Sequence, residues 1–307
     1  MRPTRYPFLL LALALLLSGC TTPGPGEPGE TFGPETGDDK VIRSDEVYVP
    51  VDSVPDIHGI GVDAERPDIL YVATHHGLVR AVNDTDWARV GTLRNDYMGF
   101  TAHPEEGGTF WVSGHPSEGG NMGVRHSTDG GFTWRTLALK GVDFHALTVS
   151  PADPDRLWGH FQGKIYASND GGHHWTIVSD APRPVLALAG DPSDADTVWA
   201  PGTQGLDKST DGGETWSSVH DRPTATLAVD PHAPDTLFAS FSEGLFRSTD
   251  GGTTWSETGL TIGEDTVGYL AFDPSTEGVL YAATYRTAIH KTTDGGENWS
   301  QVREAGR

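Results

Sequence analysis

Apolar positions along the chain gather into short runs, and each run is closed by Gly, Pro, Asp or Asn. No stretch sustains the 3.6-residue helical period over roughly ten positions, so strands are expected throughout. One stretch shows the pattern well: runs at Ala225–Val229, Thr236–Ser240, Gly244–Ser248 and Thr254–Glu257 predict four strands, A to D, joined by tight turns. The same unit recurs. Ser127-Thr128-Asp129-Gly130-Gly131-Phe132-Thr133-Trp134 returns as Ser168…Asp170…Trp175, Ser209…Asp211…Trp216, Ser248…Asp250…Trp255 and Thr292…Asp294…Trp299. These tryptophans lie 41, 41, 39 and 44 residues apart, and a worn copy, Asn83-Asp84-Thr85-Asp86-Trp87, precedes them by 47. Before each copy runs a strand, a short turn and an aromatic strand, as in Asp191-Pro192…Val198-Trp199 and Asp273-Pro274…Leu280-Tyr281.

Six such units, each about 42 residues, fill about residues 55–303. Four short strands per unit at this period predict an all-β, six-bladed β-propeller with four-stranded blades. One blade cannot bury both faces of its sheet, whereas six in a ring cover one another. Glu46–Val51 is left over as an extra strand with no assigned partner.

The N-terminus reads differently. Arg2 and Arg5 precede an apolar run, Phe8–Leu17, that is too short to span a bilayer as a helix. It ends in Leu17-Ser18-Gly19-Cys20, which resembles a bacterial lipobox. That resemblance implies a signal peptide over 1–19, lipidation at Cys20, and a place in the bacterial cell envelope outside the cytoplasm, anchored to a membrane. Residues 20–40 carry Pro and Gly and few apolar side chains, which predicts a flexible tether with a reach of roughly 25 Å. The propeller domain is then 41–307.

Composition narrows the chemistry. The net charge is −22, with 43 acidic against 21 basic residues. Phosphate-rich partners are repelled by such a chain, so nucleic acid is not an expected partner, and membrane contact is expected through the lipid anchor only. Cys20 is the only cysteine, which excludes a disulfide within the chain, a thiolate zinc site and a cysteine nucleophile in the fold. No Gly-x-Gly-x-x-Gly loop follows a strand and no Gly-x-Ser-x-Gly elbow is present.

The repeated Ser-x-Asp-x-Gly-x-Thr-Trp segments resemble the Asp-box, or BNR repeat, of sialidases, other propeller glycoside hydrolases and sortilin-type receptors. Small bacterial BNR-repeat lipoproteins labelled glycosyl hydrolases share the overall pattern. The Asp-Gly-Gly run suits a hairpin turn that needs positive φ, and the carboxylate suits the N–H groups inside that turn. Five equivalent copies make Asp129, Asp170, Asp211, Asp250 and Asp294 scaffold residues.

Strand order places the B–C loops and the links between units on one face, opposite these turns. The starts of the innermost strands, A, read Asp56-Ile57-His58, Asp96-Tyr97-Met98 and Asp143-Phe144-His145 in the first three units. The others bring Arg183-Pro184-Val185, Arg222-Pro223-Thr224 and Glu264-Asp265-Thr266. The B–C loops add His75, His76, His115, His160, Glu243, Tyr285 and Arg286.

Three functions fit that rim. The first is a glycan, peptide or protein ligand held by Arg183, Arg222, Arg286, His58, His75, His115, His145 and His160. The second is glycoside hydrolysis. A sialidase resemblance implies an arginine clamp from Arg183, Arg222 and Arg286, Tyr285 as nucleophile, and Asp56, Asp96, Asp143 or Glu243 as acid or base. The sialidase Phe/Tyr-Arg-Ile-Pro motif is absent, so no catalytic position carries over directly. The third is a divalent transition metal held by His58, Met98 and His145, where the thioether tilts the choice towards copper.

Overall fold

The computed structural model describes residues 26–34 and 40–305. Three short strands come first: β1 (Thr31–Phe32), β2 (Val41–Arg43) and β3 (Tyr48–Pro50). Blade 1 is β4 (Ile57–Val62), β5 (Ile69–Thr74), β6 (Gly77–Val82) and β7 (Asp86–Val90). Blade 2 is β8 (Asp96–Ala102), β9 (Phe110–His115), β10 (Val124–Ser127) and β11 (Thr133–Ala138). Blade 3 is β12 (Ala146–Val149), β13 (Leu157–Phe161), β14 (Lys164–Ser168) and β15 (Trp175–Asp180). Blade 4 is β16 (Ala189–Asp191), β17 (Asp194–Gly202), β18 (Gly205–Ser209) and β19 (Ser217–His220). Blade 5 is β20 (Thr226–Val229), β21 (Leu237–Phe241), β22 (Gly244–Ser248) and β23 (Ser256–Glu257). Blade 6 is β24 (Val267–Phe272), β25 (Leu280–Thr284), β26 (Ile289–Thr292) and β27 (Ser300–Arg303). Within every blade the four strands pair antiparallel in sequence order. The first strand of each blade touches that of the next, and β24 meets β4 to complete the ring. The architecture is therefore a six-bladed all-β propeller.

Apolar burial is concentrated between blades. Among the described residues, six core clusters fill the six seams, one each. Sheets that alternate inward and outward residues would expose one face each, and the ring removes that exposure. Trp134, Trp158, Trp175 and Trp199 are among the largest fully buried side chains. Removing such a ring typically costs about 3–5 kcal/mol.

The repeated Asp turns explain how each seam is fastened. In the second copy Ser168 Oγ donates to Asp170 Oδ1 at 3.0 Å, and the N–H of His174 donates to the same oxygen at 2.8 Å. Onto each turn docks the aromatic residue of the preceding blade's second strand. Trp111 donates its indole N–H to the Gly171 carbonyl at 2.8 Å, and Trp158 does the same to Gly212 at 2.8 Å. Phe238 lies so close to Gly296 that a Cβ there would come within 2.6 Å of the ring. The worn copy in blade 1 keeps this role with different atoms. Asn83 and Asp84 take positive φ in its turn, and Tyr281 of blade 6 donates to Asp84 Oδ1 at 2.8 Å.

The N-terminal segment departs from expectation. Residues 26–34, assigned by composition to a flexible tether, include β1, which pairs with the outer strand of blade 3 in the register Thr31 to Thr176. Gly29 N donates to Ile177 O at 2.7 Å and Ile177 N to Glu30 O at 2.9 Å, so the backbone is tied there. Next, β2 pairs with β11 of blade 2 and β3 with β7 of blade 1. The segment thus laces the outer edges of blades 3, 2 and 1, and the extra strand at 46–51 finds its partner in β7. The leader and Cys20 lie outside the described residues.

Blade 4 departs too. Its first strand was expected to start at Arg183-Pro184-Val185, but β16 begins at Ala189. Pro201 in β17 has no N–H to give, so Leu186 and Ala187 only donate to its carbonyl and the regular ladder starts later.

Candidate functional site

The face with the B–C loops and interblade links gathers the predicted histidines. His58 lies on β4, His75 in the β5–β6 turn, and Asp96 starts β8. His115 ends β9, Asp143 and His145 precede β12, and His160 lies on β13. These elements bring together two groups, each at a blade seam.

The first group is His58, His75 and Asp96, at the junction of blades 1 and 2. His75 Nδ1 lies 2.7 Å from Asp96 Oδ2. The rings of His58 and His75 meet edge to face, 4.3 Å apart. Burial holds the His58 imidazole below its ordinary pKa, and the neighbouring His75 adds to the effect. Its Nε2 and Asp96 Oδ1 are buried with no hydrogen-bond partner among the described residues.

The second group is His115, Asp143 and His145, at the junction of blades 2 and 3. Both Nε2 atoms approach one oxygen, Asp143 Oδ2, at 3.2 Å from His115 and 2.9 Å from His145. The hydrogen bond to Asp143 raises the His145 pKa, against the effect of burial. The long β9–β10 loop passes close to the start of blade 2. A Cβ at Gly114, whose φ is +138°, would stand 2.2 Å from the Asp96 carbonyl oxygen. That glycine lets the loop return and set the Gly120 carbonyl 3.0 Å from His115 Nδ1. His160 is half-buried nearby, and burial, followed by the closeness of His145, lowers its pKa.

The metal set expected from the sequence is regrouped. His58 and His145 belong to different groups, although both line the central cavity together with Met98. Asp56 is exposed at a φ of +52°, outside both groups.

The arginine clamp does not form. Arg183 gives Nε to Asp207 Oδ2 and an NH2 hydrogen to Asp207 Oδ1, both at 2.8 Å. Its other donors go to Asp221, Ser218 and the carbonyls of Gln204 and Leu206. Five N–H groups are thereby committed inside blade 4, and none remains for a ligand. Arg222 pairs with Glu243 at 3.0 Å and lies 3.8 Å over the Phe241 ring. Arg286 and Tyr285 sit exposed in the β25–β26 turn. Asp129, Asp170, Asp211, Asp250 and Asp294 serve their own turns on the opposite face. Hydrogen bonds within those turns hold the carboxyl groups of Asp250 and Asp294 down at about 2.

Between the first strands lies the central cavity, about 370 Å³, lined by Phe100, Leu147, Leu188 and Leu227 among others. Leu186, 44% exposed, and Tyr285, 52% exposed, line the same cavity from blades 4 and 6. The broken ladder at Pro201 is what frees Leu186. Sequence reasoning missed this residue because the interruption comes from a proline on the neighbouring strand.

No protein-family model matches the chain, and no curated protein matches it. Solved structures do. A GH74 enzyme of Niastella koreensis superposes with a TM-score of 0.60 and 17% identity, over 83% of this chain and 46% of its own. The GH74 xyloglucanase of Xanthomonas campestris gives 0.59 and 17%, over 85% and 46%. YCF48 bound to D1 peptide gives 0.53 and 16%, over 83% of this chain and 84% of its own. The chain thus spans less than half the length of the GH74 enzymes. At these identities the likeness is one of fold.

Proposed function

We propose that the chain is a binding propeller that takes a protein or peptide partner at the mouth of its channel, on the face of the two His–Asp groups. The observation that carries this reading is the two-sided mouth. Exposed Leu186 and Tyr285 offer apolar contact on one side. On the other side the part-buried carboxylates of Asp96 and Asp143, with side chains 21% and 10% exposed, keep the wall acidic. A partner segment with an apolar side chain beside a basic one matches both, and the net charge of −22 favours its approach. Among the structural neighbours, YCF48 carries a peptide and is matched over most of its length.

The Asp-box resemblance and export with lipid anchoring at Cys20 belong to the same proposal, and both are supported by sequence motifs alone. Changing Cys20 to Ala is expected to release the protein from membranes, and retention would sink that element.

A second reading, glycoside hydrolysis, is favoured by the GH74 neighbours. It asks for two carboxyl groups flanking a sugar bond, one of them protonated. Asp96 and Asp143 are instead each engaged by imidazole nitrogens, and Arg183 and Arg222 are taken.

The deciding experiment places a photo-cross-linking amino acid at Leu186 or Tyr285, and at Glu214 on the opposite face as control. A protein adduct from the first two positions alone supports the partner reading. Equal adducts from Glu214 overturn it. Turnover of fluorogenic glycosides that disappears in Asp143→Asn overturns it in favour of the hydrolase.

A further inference from the structure

We propose that His115, Asp143 and His145 form a binding site for one divalent transition-metal ion of the zinc class, at the seam of blades 2 and 3. This inference does not rest on the partner reading, since it concerns an ion and three side chains only.

The argument begins with Asp143. The residue is 8% exposed, and its Oδ1 is buried with no hydrogen-bond partner among the described residues. A buried carboxylate oxygen left without a donor is costly, and a bound cation is one way to relieve it.

His115 adds an independent constraint. Its Nδ1 lies 3.0 Å from the Gly120 carbonyl, and a carbonyl only accepts, so Nδ1 carries a proton. Nε2 is thereby the atom free to act as a ligand, and it is aimed at Asp143 Oδ2, 3.2 Å away. With Nε2 deprotonated, as a metal ligand must be, a cation between these two atoms turns their mutual repulsion into coordination. A hydrogen bond from the far ring nitrogen to a backbone carbonyl is also how metal-ligating imidazoles are commonly oriented. The glycine-rich β9–β10 loop supplies it through Gly120, whose φ of +82° suits glycine.

Protons on both Nε2 atoms would satisfy Asp143 Oδ2, at 3.2 and 2.9 Å, but would still leave Oδ1 buried without a partner among the described residues. For four ligands at roughly 2.0–2.1 Å, the edge of a tetrahedron is about 3.3 Å. The spacings of 2.9 and 3.2 Å are close to it, and the three donor atoms all lie within 4.8 Å of one another. Two imidazoles and one carboxylate suit zinc, copper or nickel better than magnesium or calcium. His145, with its side chain 59% exposed, leaves the outer side open, so a fourth position would hold water or a donor from another molecule.

The test titrates the metal-stripped full chain with Zn²⁺ by calorimetry, then with Co²⁺, whose visible absorption reports coordination geometry. The expected result is a tight equivalent with the spectrum of four- or five-coordinate cobalt. Asp143→Asn and His115→Gln should each weaken it at least tenfold, while His232→Gln, at an exposed position in the β20–β21 turn, leaves it unchanged. His145→Gln changes an exposed ring and decides the matter if the buried Asp143→Asn variant fails to fold. Absence of tight binding in the unaltered chain overturns the proposal, as does binding that survives these changes.

Discussion

The Tyr281 hydroxyl donates a 2.8 Å hydrogen bond to Asp84 Oδ1, and that contact joins the last blade to the first. Lys291 reaches the other oxygen of the same carboxylate at 2.8 Å, and Arg303 lies 4.4 Å over the Trp87 ring nearby. No strand is exchanged at this seam. Each blade is made of one repeat, so side chains must hold the ring shut. Asp84→Ala leaves Lys291 and Tyr281 without their partner and is expected to cost about 2–3 kcal/mol, against about 1 kcal/mol for Tyr281→Phe. Urea unfolding of both variants measures this, and equal midpoints for Asp84→Ala and the unaltered chain would contradict it.

Arg183 should behave as a structural residue. It lies with Asp207 inside blade 4, where its side chain is 18% exposed and that of Asp207 only 6%. Breaking such a pair from one side typically costs about 3–5 kcal/mol. Arg183→Ala is expected to lose stability on that scale while the folded fraction keeps its affinity for Zn²⁺. Loss of binding at unchanged stability would return Arg183 to the ligand site.

The outer strands should act as edge covers. Tyr48 on β3 sits over the Arg80 guanidinium at 3.2 Å and meets Phe132 of blade 2 edge-on at 5.2 Å. A chain lacking residues 26–43 would bare β11 and β15, and unpaired edges invite association. Light scattering on warming should show earlier aggregation than in the full chain. Identical curves would mean that those edges are protected in another way.

Acid sensitivity has an assignable source. His126 lies against Trp111 with centroids 4.9 Å apart and ring planes tilted by 30°, and burial lowers its pKa to about 4, with His173 and His103 adding. An unfolded histidine binds its proton near 6.5, so the unfolded chain holds more protons between these values. Stability therefore falls as pH drops from about 6.5 towards about 4. Asp250 and Asp294, held near 2, work in a lower window, and their contribution is lost only as the pH passes below the ordinary carboxylate range. The melting temperature of His126→Phe should decline less between pH 7 and 4.5. A parallel decline would remove His126 as the cause.

The repeat made the fold legible. Blade 5 shows how closely: strand C was expected at Gly244–Ser248 and is found there, and strand A starts one residue late at Thr226. Of the outer strands, β3 was legible as the extra strand at 46–51, whereas β1 and β2 escaped notice because they have two and three residues and pair with partners far along the chain. At the rim, alignment of Asp56, Asp96 and Asp143 brought out the acidic positions. It could not say which imidazole each would meet, because His75–Asp96 and His115–Asp143 pair a loop of one blade with the start of the next. The arginines misled for a similar reason. Asp207 and Glu243, which claim them, lie on other elements of their blades.

The lacing of the outer strands also sets an order of events during synthesis. Thr31 pairs with Thr176 and Ile42 with Trp134, so neither contact can exist until most of the first three blades has been made. Among the described residues, blades 4 to 6 take no strand from upstream. Such distant pairings form slowly because a long loop must close first. The segment that leaves the ribosome before any blade is thus expected to settle in reverse order, β3 after blade 1, β2 after blade 2 and β1 only after blade 3 is made.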